Sequence, residues 1–217
     1  MLPNLIVPVL NRYDLLRRML ASVNFPVRDL LIIDNGGEFY DVLHSEFIEN
    51  IRVLNMPANL GVGGSWNLGI KSFPNDDRWF FASNDMVFLP GAYESLCEAR
   101  RDEITLSDMF PHWHTFSLGD EAVSRIGLFD ECGFFPAYFE DNDYMRRAEY
   151  CDITVRRISI PTEHDNSSTI RSDSRYNAMN DQSFRRNSAY FHEKIARQDY
   201  SAGQWSLDVR RLNDWGK

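Results

Sequence analysis

Cysteine is scarce in this sequence, and its spacing argues against two common kinds of site. The 217 residues include three cysteines, Cys97, Cys132 and Cys151. Their number is odd and no two are separated by only two residues, so neither a disulfide framework nor a thiolate zinc site is expected. This sparing use of cysteine fits a reducing compartment best, and we expect a cytoplasmic protein.

Neither a secretory signal nor a membrane-spanning hydrophobic run is expected from the sequence. Its first residues, Met1-Leu2-Pro3-Asn4, contain no basic segment leading into an apolar stretch, which a secretory signal would require. No run approaches the ~18 apolar residues of a transmembrane helix. We therefore expect no membrane span.

Basic residues are outnumbered by acidic ones. The chain has 23 Lys and Arg against 32 Asp and Glu, a formal net charge of -9. Such a surface disfavours nucleic acid and anionic membranes as partners, because both attract clustered cations. It suits a site that holds a divalent cation. With 43% hydrophobic and 25% charged residues, the chain is expected to form one globular domain, or one domain with an appendage.

Short apolar runs alternate with helical patterns in the N-terminal half. A buried parallel strand appears as a continuous apolar run, whereas a helix has apolar residues every three or four positions. The sequence predicts strands at 5–7, 30–33, 51–54 and 79–82, and helices at 13–23, 40–48 and 65–72. This alternation indicates an α/β fold with a mostly parallel central sheet and helices on both faces.

The second half of the chain is less regular. Short helices are predicted at 119–126 and 142–150, and a strand at 153–160. A later helix would carry one stripe made of Phe184, Ser188, Phe191 and Ile195. We divide the chain into a domain of residues 1–170 and a C-terminal helical extension of residues 171–217, which is either a lid or a brace.

Polar or flexible residues follow directly after the predicted strands, at 8–12, 34–37, from Asn59 onward, and at 83–85. In open α/β sheets, ligands bind at the carboxyl ends of strands. Asp85, in Ser83-Asn84-Asp85, could therefore hold Mn²⁺ or Mg²⁺, which prefer oxygen ligands. The alternative is that this strand-end Asp only caps a turn, which is the commoner role.

Residues 59–69 are rich in glycine. Three glycines within residues 61–64 would let the backbone approach a ligand closely, and a helix opening near Ser65 would offer free N–H groups to an anion. A dinucleotide fingerprint would need glycine where Trp66 stands, and there is no Gly-Lys-Ser/Thr phosphate loop. A helix-entry turn without a ligand is the alternative.

Acidic residues follow an aromatic segment in the second half. Glu140-Asp141-Asn142-Asp143 comes after Phe134-Phe135 and Tyr138-Phe139. A carboxylate desolvated by these rings could have a raised pKa and serve as a general base. Acids in a first helical turn also stabilise the helix dipole, so both interpretations stay open. His164, in a polar loop, could partner a carboxylate in a metal site.

The order of these motifs resembles family 2 of the inverting glycosyltransferases, which have the GT-A fold, and within it the rhamnosyl- and galactofuranosyl-transferase-like branch. The resemblance covers roughly residues 4–170. Residues 59–69 are similar to the Asn-x-Gly-x-Gly-Gly…Asn-x-Gly pattern of the branch, 83–85 to its Asp-x-Asp metal motif, and 140–147 to its Glu-Asp-x-Asp…Arg motif. Asn35 and Ser83 depart from the family, which has acids at these positions.

The resemblance implies a metal-dependent glycosyltransferase that moves a hexosyl or deoxyhexosyl unit from a UDP-, dTDP- or GDP-linked sugar to an acceptor hydroxyl of unknown class. Asp141 would be the base, and Asp85 and His164 would hold Mn²⁺ or Mg²⁺. The donor would be contacted by Pro8, Val9, Leu10, Arg12, Asp34, Asn35, Asn59, Gly63, Gly64, Asn67, Ser83, Asn84 and Asp85.

Four large side chains have further roles under this interpretation. Arg171 and Arg175 could close over the diphosphate, since a guanidinium group suits phosphate. Trp66 could stack on a sugar face. Trp113 belongs either to the acceptor side or to the core, with the core favoured.

Two other functions are compatible with parts of the sequence. A sugar nucleotidyltransferase usually has a Gly-rich loop with a basic residue after its first strand, whereas residues 8–12 contain no glycine. A catalytically silent, carbohydrate-binding GT-A-like protein would have no use for Asp85, Asp141 and His164. The chain is short for the fold, so a partner subunit could complete the acceptor side, and a homo-oligomer is compatible with this.

Overall fold

The described part of the chain, residues 1–165 and 174–203 of a computed structural model, contains two β-sheets. The strands are β1 (Leu2–Val9), β2 (Val27–Asp34), β3 (Ile48–Asn55), β4 (Arg78–Ala82), β5 (Met86–Phe88), β6 (Glu103–Ser107), β7 (Thr115–Gly119), β8 (Thr154–Ile158) and β9 (Thr162–His164). Seven of them form the larger sheet, and β5 pairs with β9 as a separate antiparallel ribbon.

The larger sheet has the strand order β3-β2-β1-β4-β7-β6-β8. Four neighbouring pairs are parallel: β1 with β2, β1 with β4, β2 with β3, and β6 with β8. Strand β7 runs antiparallel to both of its neighbours, β4 and β6. The prediction of a mostly parallel central sheet is therefore confirmed.

Helices cover both faces of this sheet. They are α1 (Tyr13–Ser22), α2 (Gly61–Ser72), α3 (Ala92–Cys97), α4 (Asp120–Ile126), α5 (Glu140–Tyr150) and α6 (Ser174–Ala196). Val7 of β1 packs in one hydrophobic cluster with Leu16 of α1, whereas its neighbour Ile6 belongs to a second cluster with Ile70 of α2 and Tyr144 of α5. Successive strand residues point to opposite faces, so a strand buried on both faces usually appears as a continuous apolar run.

One predicted helix, at 40–48, is wrong. Residues 40–45 have no regular secondary structure, and β3 begins at Ile48, which pairs with Val27 of β2. Tyr40 is 78% exposed and Val42 is 83% exposed, so this segment has no apolar stripe that a helix could bury. The pairing of β3 with β2 decides the local structure instead.

Two central strands, β6 and β7, were not predicted. Their sequences, Glu-Ile-Thr-Leu-Ser and Thr-Phe-Ser-Leu-Gly, alternate polar and apolar residues, yet every residue is buried. Glu103 is tolerated there because its carboxylate accepts hydrogen bonds from Thr105 at 2.8 Å and from Arg156. Because these buried strands contain polar residues, hydrophobicity alone does not predict them.

The C-terminal helix buries a different face from the predicted stripe. Phe184 and Ile195 are 47% and 43% exposed, whereas Ser183, Asn187 and Lys194 are buried. Lys194 lies between two buried carboxylates, which are described below. Ion pairing and hydrogen bonding, rather than apolar burial, therefore decide which face of α6 turns inward.

The helices and the cysteines bear on the expectations drawn from composition. None of the helices in the described ranges combines the length and hydropathy needed to cross a lipid bilayer. Cys97, Cys132 and Cys151 are all free thiols.

Candidate active site

A cleft of about 440 Å³ lies at the carboxyl ends of β1 and β4. This is the edge at which an open α/β sheet binds ligands. Many of the residues predicted to act together line it: Pro8, Val9, Leu10, Asn35, Asn59, Ser83, Asn84, Asp85, Asp141 and His164. The fold thus brings the proposed donor, metal and base residues into one cavity.

The remaining predicted donor contacts, Arg12, Asp34, Gly63, Gly64 and Asn67, are not among the residues that line the cleft. Arg12 precedes α1 with a left-handed backbone, φ 57°. Its guanidinium group donates to both carboxylate oxygens of Asp14, at 2.9 and 2.8 Å. The geometry gives Arg12 a local role at the start of α1.

Asp34 is fully buried and serves the loop after β2. Its Oδ1 accepts hydrogen bonds from the Tyr13 hydroxyl at 2.8 Å and from the Gly36 N–H at 3.0 Å. Its Oδ2 accepts a hydrogen bond from the Phe39 N–H at 2.8 Å. Both carboxylate oxygens of Asp34 therefore accept hydrogen bonds from within the protein, and these bonds stabilise the turn predicted at 34–37.

Asn67 ties the glycine-rich segment to residues 129–131. Its Nδ2 donates to the Phe129 carbonyl at 2.9 Å and to Glu131 Oε2 at 2.6 Å, and its Oδ1 accepts from the Phe129 N–H at 2.8 Å. A Cβ on Gly63 would lie 3.5 Å from the Phe129 Cβ, and one on Gly64 would lie 3.8 Å from the Glu131 Cβ. These residues of the motif face the protein interior.

Helix α2 begins at Gly61, earlier than predicted, so Ser65 lies in its second turn. The N–H groups of residues 60, 61 and 62 donate to Asn35 Oδ1, Asn59 Oδ1 and the Pro136 carbonyl, at 2.9, 2.8 and 2.7 Å. These groups of the helix opening are satisfied within the protein. Asn35 and Asn59 thus shape the loop at the cleft wall.

Asp85 and His164 face each other across the β5–β9 ribbon. Met86 of β5 is in register with His164 of β9, and His164 Nε2 lies 3.0 Å from Asp85 Oδ1. The Asp165 N–H donates to the Asp85 carbonyl at 3.0 Å. Both side chains are largely buried. The ribbon therefore holds an oxygen donor and a nitrogen donor side by side at the cleft.

Asp85 and His164 are residue types that bind divalent cations, but they provide only two ligands. No group of three or more His, Cys, Asp or Glu that could hold a metal occurs among residues 1–165 and 174–203. Mg²⁺ is commonly bound by one or two carboxylates together with substrate phosphates and water, and Mn²⁺ accepts similar ligands. Asp85 and His164 supply two adjacent donors of the right kind, so a diphosphate would have to complete the set.

His114 lies beside this pair but is committed to the protein. Its ring centroid is 5.0 Å from that of His164. Its Nδ1 lies 2.7 Å from the Pro111 carbonyl, which can only accept, so Nδ1 carries a proton. Its Nε2 then accepts from the Thr162 hydroxyl at 2.9 Å. Burial lowers the pKa of His114, in keeping with a neutral ring.

Asp141 enters the cleft from the first turn of α5. Burial raises its pKa above the usual aspartate value, and hydrogen bonds from the backbone of Asn142 and of Asp141 itself partly offset this. The Asn142 N–H lies 2.8 Å from Asp141 Oδ1. A desolvated carboxylate with a raised pKa is a better proton acceptor than an exposed one.

Glu140, which was not selected as a site residue, also lines the cleft. It is 6% exposed, and its Oε2 has no hydrogen-bond partner within the described residues. Burial, followed by the charge of Asp141, raises its pKa well above the usual glutamate value. The two carboxyl groups thus differ in environment, and Glu140 favours the protonated form more strongly.

The backbone leading into α5 is strained. Tyr138 and Phe139 have φ values of 77° and 71°, which are rare for residues with bulky side chains. Each such residue costs about 1–3 kcal/mol and persists only where the surroundings enforce it. The strained turn directly precedes Glu140 and Asp141, so it sets their direction.

Two cleft residues gave no signal in the sequence: Asn180 and Ser183 of α6 line the cavity although they lie outside the predicted motifs.

Trp66 and Trp113, which the sequence analysis considered for sugar stacking, also line the cavity, and their rings stack with centroids 5.7 Å apart. Trp66 is 7% exposed and Trp113 packs against the same core cluster, so each ring serves the core and the cleft wall at once.

Two predictions fall on residues that the structure does not describe. Arg171 lies outside the described ranges, and so does the side chain of Arg175. Their predicted closure over a diphosphate remains an expectation from the sequence.

The fold is shared with several solved structures. A mannosyltransferase from Pyrobaculum calidifontis, in complex with GDP-Man and Mn²⁺, is 10% identical with a TM-score of 0.58, covering 98% of this chain and 78% of that chain. A galactosyltransferase 7 from Drosophila, with manganese, UDP-Gal and xylobiose, is 13% identical with a TM-score of 0.53, covering 78% and 72%. At such identities the likeness shows the fold alone, and the predicted GT-A-type fold is confirmed.

A third structure with this fold has a different activity. The inositol-1-phosphate CTP transferase from T. maritima is 14% identical with a TM-score of 0.53, covering 82% of this chain and 95% of that chain. Fold alone therefore does not separate sugar transfer from nucleotidyl transfer.

Sequence comparison finds a matching family model for part of the chain. No curated protein matches the chain. A family model described as glycosyl transferase family 2 matches residues 4–107, a range that includes Asp34, the glycine-rich segment and Asp85. This match does not support the narrower rhamnosyl- and galactofuranosyl-transferase-like branch. Residues 4–107, just under half of the chain, are therefore similar to glycosyl transferase family 2.

Proposed function

We propose that this protein is an inverting, metal-dependent glycosyltransferase that moves a monosaccharide from a nucleoside diphosphate sugar to an acceptor hydroxyl. One observation carries the proposal: the Asp85–His164 pair and the desolvated Asp141 line the same cleft. The match of residues 4–107 to glycosyl transferase family 2 and the nucleotide sugars bound by the two glycosyltransferase structures support it. Motif order still favours the rhamnosyl- and galactofuranosyl-transferase-like branch, and hence a hexosyl or deoxyhexosyl donor.

The donor would lie along the ends of β1 and β4. Pro8, Val9 and Leu10 offer an apolar wall to a UDP, dTDP or GDP base, while Ser83 and Asn84 offer polar groups to its ribose and phosphates. Asp85 and His164 would hold Mn²⁺ or Mg²⁺ against the diphosphate. When bound, such a cation offsets the negative charge that develops on the leaving group.

Asp141 would act on the acceptor. Its carboxylate takes the proton from the acceptor hydroxyl as that oxygen bonds to the anomeric carbon, and the bond from that carbon to the diphosphate oxygen breaks on the opposite face. The configuration at the carbon is therefore inverted. Removing water from Asp141 favours this step, because the raised pKa lies closer to neutral pH.

A sugar nucleotidyltransferase is the second candidate, favoured by the likeness to the T. maritima CTP transferase. Incubation with a sugar 1-phosphate, a nucleoside triphosphate and Mg²⁺ separates the two functions, because nucleotidyl transfer releases pyrophosphate. If pyrophosphate is released and no sugar is transferred from nucleotide sugars, our proposal is wrong and the nucleotidyltransferase function is favoured.

A thermal-shift panel tests the proposed function directly. UDP-, dTDP- and GDP-sugars are added with and without Mn²⁺, and a ligand that binds the folded form raises the melting temperature, by the equivalent of about 2.7 kcal/mol at 100 times its Kd. We expect one nucleoside class to stabilise the protein more with Mn²⁺ than without. In the Asp85→Asn variant the additional effect of Mn²⁺ should disappear. If no nucleotide sugar shifts the melting temperature, the proposal is wrong.

A further inference from the structure

The strained turn before α5 is held from outside by the C-terminal helix. Asn187 of α6 is fully buried, and its Nδ2 donates to the carbonyl oxygens of Ala137 at 2.7 Å and Tyr138 at 3.2 Å. Both protons of the amide nitrogen are thereby used. A single side chain of α6 thus fixes two successive peptide groups of the turn.

Aromatic rings of the same helix pack against the turn. The Phe184 ring centroid lies 5.4 Å from that of Tyr138 and 5.1 Å from that of Phe139. Phe191 lies 5.5 Å from Phe139. Two consecutive bulky residues with positive φ persist only where contacts with the surrounding structure enforce this conformation. The contacts from α6 provide such enforcement.

The strained turn also determines the direction of the Asp141 side chain. The Phe139 carbonyl accepts the hydrogen bond from the Asp143 N–H at 2.9 Å, so the first helical bond of α5 starts from the strained residue. Asp141 lies within this first turn and faces a cleft that Asn180 and Ser183 of α6 also line. The helix that holds the turn therefore also forms the cavity wall beside Asp141.

We propose that α6 is a positioning element for the reaction, and that Asn187 is a positioning residue that holds the strained turn so that Asp141 stays directed into the cleft and shielded from water. This inference rests on the proposed function, in which Asp141 is the base. Under this inference, α6 is neither only a lid nor only a brace, because it holds the strained turn that directs Asp141.

The choice of side chain separates positioning from simple packing. A brace that only fills space would be served by a leucine, whose side chain has the same number of heavy atoms and the same branch point as asparagine, whereas Asn187 occupies its buried site with both amide protons donated to the turn. Asn187→Leu therefore keeps much of the contact and removes the two hydrogen bonds to the turn, together with the two that Arg186 donates to Asn187 Oδ1 at 3.2 and 3.1 Å. Gln182→Ala, at an exposed position of the same helix, is the matched control.

The test measures the titration of Asp141 itself by carbon NMR of labelled aspartate carboxyl groups, with Asp141→Asn to assign the signal. In Asn187→Leu the turn relaxes, Asp141 gains water, and its pKa should fall from the wild-type value toward the usual aspartate value. The other titratable groups that line the cleft, Glu140 of α5, Tyr138 of the turn, and Asp85, His114 and His164, are present in every variant compared. The facing residues Asn180 and Ser183 of α6 carry no charge. Gln182→Ala should titrate like the wild type.

A second variant keeps the inference open to refutation if Asn187→Leu fails to fold. Phe184 is 47% exposed, so Phe184→Ala removes only the ring contacts of the turn and should lower the pKa of Asp141 by a smaller amount. The inference is overturned if every folded variant of the two retains the wild-type titration. Because no substrate enters this measurement, failure here is distinct from failure of the nucleotide-sugar panel.

Discussion

Asp141 and Glu140 are adjacent carboxyl groups in one cleft, and their environments separate their chemistry. Burial raises the pKa of both, but Glu140 is more deeply buried and also feels the charge of Asp141. When two neighbouring acids differ in this way, the pair prefers to carry one negative charge rather than two. We therefore expect Asp141 to be the ionised member and Glu140 the protonated one.

Asp141→Asn should leave donor binding nearly unchanged and abolish transfer. The amide keeps the shape of the side chain but accepts no proton, and a general base typically contributes roughly 10²–10⁴-fold to the rate. Transfer is measured with the donor identified by the thermal-shift panel, and the donor Kd is measured in parallel. Glu149→Gln, an exposed position of the same helix, is the control. Equal turnover by Asp141→Asn and wild type would remove Asp141 from its role.

Glu140→Gln should make stability less sensitive to pH. An acid whose pKa rises on folding stabilises the protein fully below its unfolded pKa of about 4.3, and this contribution is lost as pH rises through the folded-state pKa. Relative to wild type, Glu140→Gln should therefore gain stability between pH 5 and pH 8. Urea unfolding at both pH values measures the difference, with Glu149→Gln again as control. A parallel pH dependence in wild type and Glu140→Gln would contradict the assignment.

The sequence predicted the residues of the cleft better than their contacts. Asp85, Asp141 and His164 were found because each follows a recognisable strand or opens a helix. Asp34 and Asn67 were expected at the donor, but their oxygens and nitrogens hold backbone and side-chain groups. Motifs preserve residue identity, whereas the partner of a polar side chain depends on segments far away in the chain.

At the scale of elements, α5 and α6 are joined by buried charge. Lys194 Nζ lies 2.9 Å from Asp130 Oδ2 and 3.0 Å from Asp143 Oδ1, and Arg147 Nε donates to Asp143 Oδ2 at 2.8 Å. All four side chains are at most 2% exposed. Two cations and two carboxylates balance, which is what makes their burial tolerable.

Lys194→Met should destabilise the protein strongly, because two buried carboxylates lose a shared cation. Breaking a buried ion pair typically costs about 3–5 kcal/mol. Arg197→Ala is the control on the same helix, since it removes an exposed pair with Glu193 that is worth at most ~1 kcal/mol. Urea denaturation measures both variants. Similar unfolding free energies for Lys194→Met and Arg197→Ala would show that the buried pairing contributes little.

The elements were predictable where hydrophobicity alone decides them. Strands β1, β2 and β4 appear in the sequence as apolar runs, because both of their faces are buried. The inward face of α6 was missed because it consists of Ser183, Asn187 and Lys194, which meet polar partners on other segments. Buried polar pairing between distant segments leaves no periodic signal in either segment alone.

At the scale of the whole molecule, the larger sheet is complete before α6 begins. The nine strands of the described ranges all end by His164, yet α6 supplies Lys194 to Asp130 and Asp143, and Asn187 to the turn before α5. A domain of residues 1–170 would therefore contain these nine strands but would lack the cation that Asp130 and Asp143 share.

A chain truncated after residue 170 should be much less stable than the full chain. The loss of Lys194 alone is of order 3–5 kcal/mol, within a typical total stability of 5–15 kcal/mol. Thermal unfolding of the two chains, followed by circular dichroism, measures the difference. Equal melting temperatures would establish residues 1–170 as a self-sufficient domain and reduce α6 to an accessory.

The contribution of Asn180 and Ser183 to the cleft wall has a consequence for synthesis. A ribosome that has just added residue 170 has produced all nine strands of the described ranges, the Asp85–His164 pair and Asp141, but not this wall. The nascent chain can begin to fold its sheet while still tethered, yet its cavity lacks this side. The site is thus finished only after α6 has been synthesised, later than the scaffold that carries it.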